Sequence, residues 1–122
     1  SYGCAVYIKL LLDIVDDCTY IVTMKELSFV WDPRKNLLNQ AKHEGIDFDE
    51  AKTVFYDENA RLIFDPLHSS EEDRFIILGL SAKLRLLVVC HCYRESDSII
   101  RIISARKATK KEGISYERYR HA

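Results

Sequence analysis

The sequence is poor in glycine and lacks the familiar phosphate-binding and metalloprotease motifs. Its 4 glycines are scattered along 122 residues, so no glycine-rich loop is available to cradle a nucleotide phosphate. Neither an H-E-x-x-H motif nor a paired-carboxylate motif is present. Metal-dependent hydrolysis therefore has little support. The formal net charge is −1, and overall charge favours no class of partner.

Long apolar segments are also missing. The apolar stretch at residues 4–15 is interrupted by Lys9 and Asp13, and it is too short and too charged to span a bilayer. It also lacks the basic start and small-residue cleavage site of a secretory signal. We therefore predict no membrane partner. Residues 1–23 precede Met24, and we interpret them as an extension without an assigned function.

The few cysteines do not suggest a disulfide framework, because a chain of this size can build a hydrophobic core. Cys90 and Cys92 share one face of a predicted strand and His91 takes the other. Further metal ligands do not occur at a recognisable spacing. We interpret the cysteines as core thiols in a reducing cytoplasm, and we predict neither a metal nor a cofactor.

The first half of the chain predicts a short strand and two helices. Residues 27–31 are mostly apolar, and Asp32-Pro33 is typical of a helix N-cap followed by proline at the first helical position. The predicted apolar stripe of this helix is Leu37, Leu38 and Ala41. Gly45 is expected at the C′ position, where it would end the helix. Asp47 then begins a second helix, with Glu50 in a capping-box-like position.

The second half predicts four strands, at residues 60–64, 74–80, 84–93 and 99–105, and a helix at 106–119. Connections this short require antiparallel hairpins. Residues 84–93 show almost no polar alternation, which is typical of a central strand covered on both faces. The predicted fold is a single α+β domain in which a short N-terminal helical pair packs on an antiparallel meander sheet, with a basic C-terminal helix.

The C-terminal segment carries most of the local positive charge, with seven Lys/Arg against two Glu from residue 98 onward. Arg101 lies inside the last predicted strand and Arg106 at its exit. A guanidinium is costly to bury without a partner, so each arginine needs an ion pair or an anionic ligand. No acidic strand is predicted beside them, which favours an anion-binding surface. Regular alternation would place the two arginines on opposite faces.

Arginine, lysine, histidine and tyrosine side chains around a small sheet suit RNA cleavage without a metal. They can bind a phosphodiester, stabilise its developing charge and move a proton to or from a 2′-hydroxyl. His91 and His43 are the candidates for proton transfer, although a histidine in an apolar strand is more often structural. The alternative is a non-catalytic RNA- or protein-binding module on the same scaffold, whose binding would be sensitive to salt.

Several segments in order resemble the BrnT toxins of bacterial type II toxin–antitoxin systems. They are FVWDP at residues 29–33, KHEGIDFDEA at 42–51, DRF at 73–75, LLVV at 86–89 and RIISARKAT at 101–109. The resemblance covers about residues 26–119. It implies one BrnT-like domain over residues 24–122. Glu44 stands between His43 and Gly45, where the family often has the two adjacent.

The resemblance implies a RelE-like ribonuclease fold and a cytoplasmic toxin that cleaves RNA and arrests translation. It also implies neutralisation by a BrnA-type ribbon-helix-helix antitoxin. Operator DNA would be bound only through that antitoxin, so that the complex represses its own operon. By position, the expected catalytic residues are His91, Arg101, Arg106 and His43. The expected RNA-binding residues are Lys42, Arg74, Lys107, Lys110, Lys111 and Tyr116.

Overall fold

The computed structural model of the chain describes residues 27–69, 72–94 and 98–121. The predicted extension at residues 1–23 lies outside these ranges, as do residues 95–97 of the predicted turn between the last two strands. The elements, in order, are β1 (Ser28–Val30), α1 (Pro33–Lys42), α2 (Phe48–Thr53), β2 (Arg61–Asp65), β3 (Arg74–Leu80), β4 (Leu86–Arg94), β5 (Ile99–Lys107) and α3 (Lys110–Arg120). Across the described ranges, no helix is long and apolar enough to cross a membrane.

The five strands form one mixed sheet in the order β1-β5-β4-β3-β2. Strands β2 to β5 make the predicted antiparallel meander, and β4 is central as predicted. The prediction of a purely antiparallel sheet was wrong, because β1 pairs with β5 in parallel. A long stretch of chain separates these two strands, so no hairpin dictates their relative direction.

The main core lies between one face of the sheet and α2 with the 3₁₀ turn that follows it. Phe48, Val54 and Phe55 are fully buried there. They pack in one cluster with the inward-facing aliphatic residues of the sheet, which are Ile77, Leu87, Val89, Ile100 and Ile102. The small helix α2 is therefore stabilised by its packing on the sheet, since six residues are too few for an independent helix.

Helix α1 begins as predicted but buries a different face. The backbone N–H of Arg34 donates to Asp32 Oδ1 at 2.8 Å, which confirms the N-cap. The predicted apolar stripe was wrong: Leu37 and Leu38 are 68% and 65% exposed, and Asn39 is the buried residue of this helix. Hydrogen bonds of Asn39 to the backbone of Ala105 attach α1 to the sheet.

The end of α1 requires two consecutive left-handed residues. Glu44 has φ of 54° and Gly45 has φ of 76°. The N–H of Gly45 donates to the carbonyl of Gln40 at 2.9 Å, which is the long bond of a Schellman ending. Gly45 is thus one position later than predicted, with Glu44 at the first left-handed position. The extra residue is accommodated in the turn, and His43 stays at the helix end.

Strand β5 contains a bulge that reverses the predicted placement of its side chains. Cys90 is in register with Ser104, whereas the adjacent His91 is in register with Ile102, so Ile103 is the additional residue. Ile102 and Ala105 are therefore both buried on the helical side, although they are three residues apart. In consequence Arg101 and Arg106 share the opposite face, contrary to the prediction from regular alternation.

Helix α3 starts later than predicted, after the junction Ala108-Thr109. The Thr109 side chain accepts from the N–H of Glu112 at 3.1 Å, and the Glu112 carboxylate accepts from the N–H of Thr109 at 2.8 Å. This capping box stops β5 and begins the helix without glycine or proline. Tyr116 then packs on Leu78 and Val88 and attaches α3 to the second face of the sheet.

Candidate active site

The C-terminal end of α1 is fixed against β5 by one buried amide. Asn39 Nδ2 donates to the carbonyl of Ala105 at 2.8 Å, and the N–H of Ala105 donates to Asn39 Oδ1 at 2.9 Å. The same Nδ2 donates to the carbonyl of Ile46 at 2.9 Å. One side chain thereby joins the helix, the turn after it and the strand immediately before Arg106.

A cleft of ≈ 330 Å³ opens where these three segments meet. We call it the β5-edge cleft; its lining residues are Lys42, His43, Glu44, Ile46, Arg106, Lys107 and Thr109. Four of the residues predicted from the sequence are therefore brought together: Lys42 and His43 from the end of α1, and Arg106 and Lys107 from the end of β5. His43 and Arg106 are half-buried, while Lys42 and Lys107 are exposed.

Acidic partners orient the cations of this cleft. Arg106 forms a bidentate pair with Glu112, with Nη1–Oε1 and Nη2–Oε2 distances of 2.8 and 3.0 Å. These hydrogen bonds raise the pKa of Arg106 and lower the pKa of Glu112 to about 2. Lys107 lies 3.5 Å from a carboxylate oxygen of Glu44. The cleft is a set of positioned cations with two carboxylates, not an uncompensated positive patch.

Arg101 lies elsewhere and is also ion-paired. Its Nη2 donates to Glu72, and its Nε donates to Cys92 Sγ at 3.4 Å. The register partners of Arg101 and Arg106 on β4 are four residues apart, which separates the arginines by roughly 13 Å along the strand. The sequence predicted no acidic strand beside these arginines and therefore favoured an anion-binding surface, but both arginines are ion-paired. Glu72 comes from a loop and Glu112 from α3, so no acidic strand was needed.

Arg74 belongs with Arg101 rather than with the β5-edge cleft. Both are in register with Cys92, from the two strands that flank β4. The Nε of Arg74 is buried and has no hydrogen-bond partner. Arg74 and Arg101 thus form a second basic row on the α3 side of the sheet, and neither lines the β5-edge cleft.

His91 is a buried core residue. It is fully buried on the helical side of the sheet, with ring centroids of Phe55 and Tyr93 at 4.7 and 5.4 Å. Its Nδ1 lies 3.1 Å from the carbonyl of Val89, and its Nε2 has no partner. Burial lowers the pKa of His91 to about 4. The predicted catalytic role does not fit this position.

Tyr116 is likewise structural in its placement. Its side chain is 3% exposed, and its hydroxyl donates to Asp57 Oδ2 at 2.6 Å. Burial and this carboxylate raise the pKa of Tyr116. The predicted contact of Tyr116 with RNA does not fit a buried phenol. Lys110 and Lys111 are exposed but line a different cleft, on the other side of the β5–α3 junction.

Two residues that organise the site were missed from the sequence. Asn39 could have been identified from the sequence, because it is a polar residue beside the predicted apolar stripe of α1. Glu112 could also have been identified, since Thr109-x-x-Glu112 is a capping-box sequence. No group of three or more His, Cys, Asp or Glu side chains converges to hold a metal ion within the described ranges.

Comparison with known proteins supports the fold and the family. A family model described as the ribonuclease toxin BrnT of type II toxin–antitoxin systems matches residues 31–112. A search among curated proteins finds no significant match. Among solved structures, the 1.1 Å crystal structure of the Brucella abortus ribonuclease toxin BrnT is similar, with a TM-score of 0.51 and 22% sequence identity. The alignment covers 69% of this chain and 99% of that one.

The structural match, at this identity, shows a shared α+β fold. The family match reaches from Trp31, just after β1, to Glu112, the partner of Arg106 in the β5-edge cleft. It includes both chain segments that form this cleft and covers more than half of the sequence. This chain belongs to the BrnT family of ribonuclease toxins of type II toxin–antitoxin systems.

Proposed function

We propose that this chain is a metal-independent endoribonuclease that cleaves RNA in the β5-edge cleft. The observation that carries the proposal is the convergence of Lys42, His43, Arg106 and Lys107 in that cleft. In the proposed reaction, the ribose 2′-hydroxyl attacks the adjacent phosphorus and the bond to the 5′-oxygen breaks. The products are a 2′,3′-cyclic phosphate and a 5′-hydroxyl. The protein supplies charge stabilisation and proton transfer and needs no nucleophile of its own.

Each side chain has a role that fits its position. Half-buried His43 takes the proton of the 2′-hydroxyl, and solvent supplies the proton that the departing 5′-oxygen needs. Arg106 binds the phosphate as charge develops on it, and Glu112 holds the guanidinium in place beforehand. Because Glu112 occupies Nη1 and Nη2, the phosphate meets the Nε edge of Arg106 or displaces the carboxylate. Lys42 and Lys107 bind flanking phosphates at the exposed rim of the cleft.

The cellular role follows the family. We propose that cleavage arrests translation in the cytoplasm and that a BrnA-type ribbon-helix-helix antitoxin neutralises the toxin. Operator DNA would be bound through the antitoxin alone, and the complex would repress its own operon. A RelE-like arrangement of the active surface is part of this proposal.

The decisive experiment is cleavage of purified RNA with and without EDTA. We expect unchanged cleavage in EDTA. We expect kcat to fall by about 10²-fold or more for His43→Ala and for Arg106→Ala, with Lys35→Ala, an exposed substitution on α1, as the matched control. Partial rescue of His43→Ala by added imidazole would support proton transfer. Wild-type rates for both variants, with native circular dichroism, would refute the site.

One observation favours a protein-binding function in addition. Leu37 and Leu38 stand exposed, at 68% and 65%, on the helix whose end forms the β5-edge cleft. An antitoxin segment with an apolar face that covered them would reach the cleft and block it. We expect Leu37→Glu with Leu38→Glu to weaken the toxin–antitoxin complex and leave RNA cleavage unchanged. If the wild-type chain does not cleave RNA, the non-catalytic alternative is supported instead.

A further inference from the structure

A second and larger cleft lies between α3 and the start of β2. It has a volume of ≈ 720 Å³, and we call it the α3 cleft. Its lining residues are Arg61, Lys110, Lys111, Ile114, Ser115, Arg118 and Tyr119. The expected RNA contacts Lys110 and Lys111 belong to it, whereas Arg61, Arg118 and Tyr119 were not identified from the sequence.

The α3 cleft concentrates positive charge. Four of its lining residues are cationic and none is acidic. Arg61, Lys110, Lys111 and Arg118 therefore line the cleft together with no acidic residue among the lining side chains. By contrast, Arg85, Arg101 and Arg106 each pair with a glutamate. Close positive charges repel one another, so a site of this kind is best satisfied by a polyanion.

Arg61 is held in place on one wall of the cleft rather than extended into solvent. Its Nη1 donates to Ser115 Oγ at 2.7 Å, and its guanidinium carbon lies 4.9 Å from the ring centroid of Tyr119. Its Nε is buried without a hydrogen-bond partner. The Arg61 guanidinium therefore lies over the Tyr119 ring, and the exposed Ile114 lines the same cleft. This combination suits a phosphate and its base, because bases stack on aromatic or guanidinium planes.

The two clefts lie on either side of one short chain segment. Lys107 and Thr109 line the β5-edge cleft, and Lys110 and Lys111, in the first turn of α3, line the α3 cleft. A single RNA strand that leaves the first cleft can therefore cross the start of α3 and enter the second.

We propose that the α3 cleft is an extended binding groove for single-stranded RNA. Arg61, Lys111 and Arg118 hold backbone phosphates, and Tyr119 offers its ring to a base flanking the cleavage point. This inference rests on the proposed ribonuclease function. It extends that function by stating that the protein binds RNA beyond the β5-edge cleft. A binding test with RNA that cannot be cleaved separates it from the catalytic assignment.

The test uses 2′-O-methyl oligonucleotides of about 4 and about 12 nucleotides, with affinity measured against salt by fluorescence anisotropy. The variant is Lys111→Ala with Arg118→Ala, both exposed residues. The control is Lys35→Ala with Lys83→Ala, which removes the same charge away from both clefts. We expect roughly tenfold weaker binding of the long oligonucleotide and a salt slope smaller by about 1.4. The short oligonucleotide should bind nearly as before.

Cleavage kinetics supply a second readout. For a long RNA, the same variant should raise KM several-fold and leave kcat close to wild type, as expected for binding interactions away from the reacting atoms. An unchanged salt slope and affinity would overturn the proposal, as would an equal loss in the control. A loss of antitoxin binding with RNA binding intact would also overturn it and assign the cleft to an acidic protein segment. If Arg106→Ala abolishes RNA cleavage but binds the oligonucleotide with wild-type affinity, the proposed groove remains supported.

Discussion

The side-chain amide of Asn39 binds both backbone polar groups of Ala105, 66 residues later in the chain. Strand β1 pairs with β5 at Ile99–Arg101, and this pairing does not extend along β5 as far as Ala105. Asn39 takes the place that a longer β1 would occupy. Because Arg106 follows directly, this contact sets how the ends of α1 and β5 face each other across the β5-edge cleft.

We predict that Asn39→Ala destabilises the protein by about 3 kcal/mol, because it leaves buried backbone groups of Ala105 and Ile46 without partners. Asn39→Asp should be at least as harmful, since a carboxylate cannot donate to the two carbonyls. Urea denaturation of both variants checks this, with Lys35→Ala as the control on the same helix. Wild-type stability for Asn39→Asp would contradict the assigned hydrogen bonds.

Arg106 and Glu112 can be separated by their effects on catalysis. We expect Arg106→Ala to lower kcat/KM by about 10²- to 10³-fold through lost charge stabilisation, and Arg106→Lys to recover only part of it because lysine lacks the bidentate fork. Glu112→Gln should cost much less activity, since the arginine remains. Steady-state kinetics on one RNA measure all three. Equal losses for Arg106→Ala and Glu112→Gln would mean that the arginine only supports the helix cap.

Buried His91 should make the fold sensitive to acid. Its pKa is lowered from 6.5 to about 4 by burial, so between these values the unfolded chain binds more protons than the folded one. The contribution of neutral His91 to the free energy of unfolding is therefore present above pH 6.5. It is lost as the pH falls from 6.5 to about 4. We expect about 2 kcal/mol of this loss between about pH 7 and pH 5.

His91→Phe keeps an aromatic ring beside Phe55 and removes the titrating group. Its free energy of unfolding should change much less between the two pH values, while RNA cleavage at neutral pH is retained. Urea titrations at both pH values measure the difference between wild type and variant, which cancels other titrating groups. A variant that keeps the full pH dependence would contradict the assignment, and one that folds but no longer cleaves RNA would restore His91 as a catalytic candidate.

Substitution of Tyr116 distinguishes a role in fold stability from a role in RNA binding. Tyr116→Phe removes the hydrogen bond to Asp57 and should lower the free energy of unfolding by about 1 to 2 kcal/mol. Affinity for the 2′-O-methyl oligonucleotide should stay at the wild-type value, because the phenol is buried. Thermal unfolding and anisotropy test the two halves of this prediction. A clear fall in RNA affinity without loss of stability would place Tyr116 at the RNA surface after all.

Local sequence predicted those elements whose causes are local. The N-caps Asp32 and Asp47, the span of β3 and the central position of β4 depend on nearest-neighbour chemistry and on hydrophobic runs. The parallel pairing of β1 could not be predicted this way, because its partner β5 is distant in sequence. The exposed Leu37 and Leu38 were equally out of reach, since the pattern identifies an apolar stripe but not what covers it.

The sequence by itself determined an α+β domain of the BrnT family and most of the cations of its candidate active site. Only the tertiary structure decided which of them act together. The bulge at Ile103 shifts β5 by one residue, and that shift moves Arg101 and Arg106 to one face while sending each to a different carboxylate. Side-chain direction along a strand depends on every residue between two positions. One additional residue in the register, set by pairing with β4, was enough to rearrange the site.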